Sequence, residues 1–296
     1  MTTLAPFELH RASTVGEAST LMSGLGDDAV LYAGGTELLL IMKLGFAAYG
    51  HLVDVKPIEE LTGIEVLDGV LRIGAGVTHR EIERSAVVAA GWPQLVAMER
   101  GVANIRVRST GTLGGNLAFA DPHSDPLTFL LAADARVVLG LGDARRRMSL
   151  MSFVLGPYTT ALAPGELLVA IEVPATHPGS GMAHLRFAIH ERPAVTVSCL
   201  VQIADQAIRV ARIAVGSVGV AGVRAAEAEA MLAGLDIRAL DPAVLAAAGR
   251  AAADASEPMA DSNGSADYKH HLVSVLVGRA VHAAIADAQR PGSMAA

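Results

Sequence analysis

The sequence predicts an α+β chain in two parts, and three observations carry that reading. Short β-like runs alternate with turns and helices through the first half, a turn-rich stretch interrupts the chain at residues 175–181, and strands followed by alanine-rich helices fill the remainder. At 296 residues, either part can bury a core.

The elements follow in order. A helical rhythm covers residues 14–25, residues 29–33 form a short apolar strand ending at Gly34-Gly35, and residues 52–54 form another. Residues 70–73, between Asp68-Gly69 and Gly74, read as a hairpin arm. Helices are expected over 79–90 and 92–101, the second opening on Pro93, which a first turn tolerates. Residues 110–116, with Asp121-Pro122 and Asp125-Pro126 beyond them, predict an ordered loop, because each proline disfavours helix at the residue before it. That loop leads into a helix at 127–133, and strands at 136–140 and 167–173 close the half.

In the second half, strands at 185–189, 196–204 and 207–215 precede the helices. Asp241-Pro242 supplies an N-cap and a first-turn proline for a helix over 243–255. A last helix starts near Ser265 and sets Leu272, Val275, Leu276, Ala280 and Ala283 on one face. The expected domains are 1–176 and 182–287, with a flexible tail at 288–296.

Composition removes several classes of function. A net charge of -7 argues against a nucleic-acid surface, which wants a concentrated basic patch. The compact cluster Arg145-Arg146-Arg147 reads as a solvated turn between strands. Cys199 is the only cysteine, so this chain alone cannot close a disulfide, hold a [2Fe–2S] cluster or build a multi-thiolate zinc site. It sits in an apolar run and reads as a small buried hydrophobe. A mean hydropathy of +0.42 reflects alanine, and each of the long apolar runs carries a charge, so no membrane span is expected. The N-terminus lacks a basic start followed by an apolar stretch, which predicts a cytoplasmic chain.

Two glycine-rich bends carry the candidate chemistry. Leu31-Tyr-Ala-Gly-Gly-Thr-Glu-Leu38 runs from a strand into a helix expected near Thr36. Glycines there permit φ > 0 and close approach of a ligand, and successive amides form a concave anion site suited to a pyrophosphate. Taken alone, a Gly-Gly pair after a strand is more often just a turn, and this one is neither G-x-G-x-x-G nor a Walker loop. Thr110-Gly-Thr-Leu-Gly-Gly-Asn116 offers three glycines, two hydroxyls and an amide, more than a turn requires. On this reading, a Cβ at Gly35 or Gly115 presses against the bound pyrophosphate. Asp125 can accept from a ribose hydroxyl. Asp121, His123 and Asp125 are metal-type side chains, but prolines stiffen their loop and no further ligands accompany them, so no metal site is expected. His79, His123 and His190 are acid–base candidates by residue type alone, and no catalytic residue is assigned.

Three stretches together resemble the medium, FAD-binding subunit of the molybdenum hydroxylases, the carbon monoxide dehydrogenase and xanthine dehydrogenase family. They are Ala33-Gly-Gly-Thr-Glu37 with Leu40-Ile-Met-Lys-Leu44, then Thr112-Leu-Gly-Gly-Asn116 with Ala120-Asp-Pro-His-Ser-Asp-Pro126, and Ser265-Ala-Asp-Tyr-Lys-His-His-Leu272 with Val275-Leu-Val-Gly-Arg-Ala280. The likeness runs from Phe7 to about Ala286. It implies a two-part FAD-binding domain of the PCMH type and a smaller α+β C-terminal domain with a short antiparallel sheet. By position, the pyrophosphate role falls on Ala33, Gly34, Gly35, Thr36, Glu37, Gly115 and Asn116. Leu31, Tyr32 and Leu38 flank the first bend, and Thr110, Gly111, Thr112, Leu113 and Gly114 complete the second. Asp125 matches the position contacting the nucleotide end, Val102 and Leu168 match positions lining the flavin, and Arg186 matches a basic residue near it. His270 stands where an arginine is common, and His190-Glu-Arg-Pro-Ala-Val195 departs from relatives.

The resemblance implies non-covalent FAD here, since no histidine or cysteine attachment site is recognisable. It places molybdopterin in a large partner subunit and [2Fe–2S] clusters in a small one, in a dimer of heterotrimers. An external acceptor such as a quinone or cytochrome takes the electrons. The competing readings are a self-contained flavin oxidoreductase and a non-catalytic nucleotide-binding assembly module.

Overall fold

The computed structural model describes residues 4–175, 177–189 and 191–290. His190 therefore lies outside the described residues, as do Thr176 at the expected domain boundary and the end of the tail.

Three strands form a parallel sheet in which His51–Asp54 is central, flanked by Glu8–Arg11 and Ala29–Tyr32. The helix Val15–Leu25 follows the first strand, and the Thr14 hydroxyl caps it by accepting from the Glu17 amide. The first bend leaves the carboxyl end of Ala29–Tyr32, the end at which parallel sheets present ligand sites. A second sheet is antiparallel, in the order Ile64–Leu67, Val70–Gly74, Leu167–Val173, Arg136–Leu141, Ala144–Ser149. Its register against Arg136–Leu141 shifts between Leu168 and Ala170, and the carbonyl of the intervening Val169 accepts from the Ala75 amide at 2.8 Å.

In the second half, Ser180–Phe187, Val195–Ala204, Ala207–Gly216 and Val223–Arg224 make a four-stranded antiparallel sheet. Strand alternation divides its two faces. Val195, Val197, Cys199 and Val201 join the cluster that includes Val273, Val277 and Val281 of the last helix, Ala266–Ala288. Thr196 turns the other way and hydrogen-bonds Thr128 of the helix Asp125–Ala132 at 2.8 Å. That helix belongs to the first half yet is buried along its whole length, so it locks the two halves together. Burial pushes the Cys199 thiol up to about 12, in keeping with its reading as a core residue.

Several expectations need correction. The helix expected over 79–90 breaks into His79–Arg84 and Ala86–Gly91, because Ser85 is extended and its hydroxyl caps the second piece. The loop expected at 110–116 is half helix: Thr112 caps Leu113–Phe119, glycines included. The expected turn of three arginines is strand Ala144–Ser149, where Arg145, Arg146 and Arg147 pair with Glu60, Glu166 and Glu172. The turn-rich boundary already begins a strand at Ser180. Among the described residues one helix, Ala266–Ala288, is long and apolar enough to cross a membrane. It packs as a core helix instead: Val273, Leu276, Val277 and Val281 are buried against the sheet, each worth about 1.5–3 kcal/mol.

Candidate functional site

A cleft of about 760 Å³ runs between the parallel sheet, the antiparallel sheet and the turn at Glu191-Arg192-Pro193, a size suited to a cofactor. Both glycine bends reach it.

At the first bend, Gly35 has φ +70, a left-handed conformation that glycine adopts without strain. A Cβ on Gly34 would collide with the Thr110 carbonyl and the Gly111 Cα, so the two bends touch at their backbones. The helix after it begins at Leu38, two residues later than the sequence implies, and Leu39 donates to the Gly35 carbonyl at 3.0 Å. Among the described residues, no protein acceptor serves the amides of Gly34, Gly35, Thr36 and Glu37. An exogenous anion can take these donors.

The second bend differs. Leu113 donates to the Val77 carbonyl and Gly114 to the Ala75 carbonyl, each at 3.0 Å. Gly115 donates to the Thr112 hydroxyl at 3.0 Å and Asn116 to the Thr112 carbonyl at 2.9 Å. Thr110 and Gly111 donate to the Val107 carbonyl, so among the described residues only the Thr112 amide of this bend is left without an acceptor. A Cβ on Gly114 would strike the backbone of Ala75, so this glycine lets the helix lie on the sheet. The expectation that a Cβ at Gly35 presses on a pyrophosphate is also corrected, because it would meet the Tyr32 ring and Leu39. A Cβ at Gly115 would meet only the Thr112 hydroxyl, 2.8 Å away.

Of the residues expected at the site, Leu31, Ala33, Gly34, Gly35, Thr36, Glu37 and Leu38 line the cleft. So do Val102, Thr112, Gly114, Gly115, Asn116, Asp125 and Leu168. Tyr32, Thr110, Gly111, Leu113 and Arg186 do not. The Tyr32 ring carries the Lys56 ammonium 3.8 Å from its centroid, and Leu113 is core. Arg186 donates to the carbonyls of Gly101 and Glu191, stands 3.6 Å from Asp125, and has no partner for its buried Nε among the described residues. Asp125 is 5% exposed, with one carboxylate oxygen 3.1 Å from His184 Nε2. It clamps the C-terminal sheet to the cleft wall.

Sequence reasoning missed Arg192. Its guanidinium bridges Asp121 at 2.6 Å and Glu37 at 2.9 Å, tying the 191–193 turn to the first bend. Burial opposes its charge, but Asp121 and Glu37 outweigh burial and raise its pKa. No local signal marks it, since both partners are distant in sequence. His79 lies at the cleft with Nδ1 2.8 Å from Glu99 Oε2, and both are buried. Glu99 Oε1 has no hydrogen-bond partner among the described residues. His123 Nδ1 meets the Pro193 carbonyl at 3.0 Å, and its Nε2 is 3.8 Å from Asp261. Asp261 in turn holds the buried Lys269 ammonium at 2.7 Å, so the Ser265–Leu272 motif acts through the fold rather than in the cleft.

These features define a nucleotide-cofactor protein: an α+β chain with a deep cleft, a bend of unpaired amides and backbone contacts too close for a side chain. Residues 5–176 match the family described as FAD binding domain in molybdopterin dehydrogenase, and residues 186–284 match the CO dehydrogenase flavoprotein C-terminal domain. The chain belongs to this family, as an FAD-binding medium-type subunit of an oxidoreductase. It is 36% identical over 280 residues to the carbon monoxide dehydrogenase medium chain of Hydrogenophaga pseudoflava, covering 94% of this chain and 96% of that one. It is 31% identical to the nicotine 6-hydroxylase medium subunit of Paenarthrobacter nicotinovorans, covering 91% and 94%. Among solved structures, a carbon monoxide dehydrogenase from H. pseudoflava lacking the Mo-pyranopterin moiety superposes with TM-score 0.93, 35% identity and coverage of 96% and 99%. Quinoline 2-oxidoreductase from Pseudomonas putida 86 gives 0.89, 28% identity and coverage of 99% and 100%.

Proposed function

We propose that the cleft holds one non-covalent FAD, with its pyrophosphate on the amides of Gly34, Gly35, Thr36 and Glu37. The observation that carries this reading is that those four donors, beside a cleft of about 760 Å³, have no acceptor in the described protein. Gly115 and Asn116 complete the wall, Val102 and Leu168 offer apolar surface to the flavin, and Asp125 lies toward the nucleotide end. Bound FAD supplies the redox chemistry, and the chain supplies position and electrostatics. Arg192 ties the 191–193 turn to Glu37 of the first bend.

In the assembly, this chain takes electrons from [2Fe–2S] clusters of a small partner subunit and passes them to an external acceptor. Substrate is oxidised at molybdopterin in a large partner subunit. Full-length relatives that are subunits of such dehydrogenases support this division, as does the presence of a single cysteine here. The chain divides into an FAD-binding domain at 1–176 and a C-terminal domain at 182–287, and it works as part of a dimer of heterotrimers in the cytoplasm. The test is purification of the chain alone, with flavin measured by visible absorbance and substrate turnover by dye reduction. One FAD per chain and no turnover without partners are expected. Absence of flavin, or robust turnover by the isolated chain, overturns the proposal.

A further inference from the structure

The parallel sheet carries a side-chain cluster that the cleft does not use. Glu8 and His10 stand two residues apart on one strand and so share a face, and Glu8 is registered opposite His51 on the central strand. His10 Nε2 and His51 Nδ1 are 3.0 Å apart. The Glu8 carboxylate reaches to 4.0 Å from the first nitrogen and 3.8 Å from the second. Both imidazoles are sheltered, 20% and 27% exposed, whereas Glu8 is free to swing at 68%. Arg11, the residue after His10, turns to the opposite face toward Asp54, so its charge does not oppose a cation here.

Two ring nitrogens this close share at most one proton. Either one donates to the other, or both aim lone pairs at one electrophile. A metal with nitrogens at about 2.0–2.1 Å holds them about 3.0 Å apart at a right angle and about 3.4 Å apart at a tetrahedral one. The observed spacing fits that range with little movement, and rotation of the exposed Glu8 side chain brings in an oxygen. We propose that Glu8, His10 and His51 bind a divalent transition-metal ion, zinc foremost, with water completing the coordination. Two imidazoles select against the oxygen-preferring magnesium and calcium. Because the ligands span the edge strand and the central strand, the ion fastens the N-terminal strand to the sheet. The site is independent of the flavin.

The test is equilibrium dialysis of chelator-treated, untagged full-length protein against zinc chloride, followed by metal analysis and thermal unfolding. One zinc per chain and a raised unfolding midpoint are expected, with FAD content unchanged. His10→Gln and His51→Gln should each weaken zinc binding by more than about 100-fold, beyond the loss usual for an outer-shell partner. Glu8→Gln should weaken it less, and His270→Gln, whose ring pairs with Asp254 elsewhere, should leave it intact. Cobalt in place of zinc should give visible bands that vanish in His51→Gln. No stoichiometric zinc in the folded protein, zinc retained in both His10→Gln and His51→Gln, or zinc lost in His270→Gln overturns the proposal.

Discussion

The two glycine bends use the same residue types for different physical ends. In Ala33-Gly-Gly-Thr-Glu37 the backbone leaves four amides without an acceptor among the described residues, and glycine is needed for a positive φ and for contact with the second bend. In Thr110-Gly-Thr-Leu-Gly-Gly-Asn116 every amide but that of Thr112 bonds to Val107, Val77, Ala75 or Thr112, and Gly114 is needed because the Ala75 backbone lies against it. One bend offers unpaired donors to the cleft. The other is a piece of the core that holds the first in place, so a glycine-rich motif does not by itself say whether its amides face a ligand or the protein.

The contrast can be broken first at Gly114. Gly114→Val forces a side chain into Ala75 and should cost about 3 kcal/mol or more, read as a large fall in the denaturation midpoint of the flavin-free protein. A variant that folds normally and loses only FAD reverses the assignment of roles. Next, Gly35→Ala should cost about 1–2 kcal/mol in stability through its left-handed φ. Its larger effect should be on FAD affinity, measured by flavin titration, because the bend that offers free amides must shift. Equal loss in a titration of Thr112→Ala would erase the distinction. That third variant removes the cap on Leu113–Phe119 and should cost about 1 kcal/mol, with FAD weakened only in proportion.

The smallest effect lies at the cleft wall outside both bends. The Arg146 hydrogen bond is the largest influence on Glu166 and holds its carboxyl below the usual range, although burial works the other way. A depressed folded pKa gives stability present above the unfolded value of about 4.3 and lost as pH falls through the folded value. Glu166→Gln should therefore destabilise at neutral pH, with the difference from the parent shrinking in urea melts below about pH 4. A difference that grows on acidification contradicts the pairing.

Local signals in the sequence were sufficient for many elements. Asp241-Pro242 opens Pro242–Ala255, Ser265 caps the last helix, and the strand Leu167–Val173 stands where its apolar run lies. Each depends on neighbours within a few residues, through a cap, a fixed proline φ or side-chain periodicity. The first bend was legible for the same reason, since paired glycines after a strand express a backbone need. The residues of the C-terminal part that wall the cleft were not, because Arg192 meets Asp121 and Glu37, and Glu191 meets Asn104, only through long-range closure.

The sequence by itself determined the fold class and the family and marked both glycine bends, because these are written in residue type and short spacing. The tertiary structure decided that Gly114 packs on Ala75, that Asp125 is held by His184, and that Glu8, His10 and His51 converge. Those outcomes depend on which strands become neighbours. Strand pairing is settled by burial summed over a whole core, and no window of the chain contains that sum.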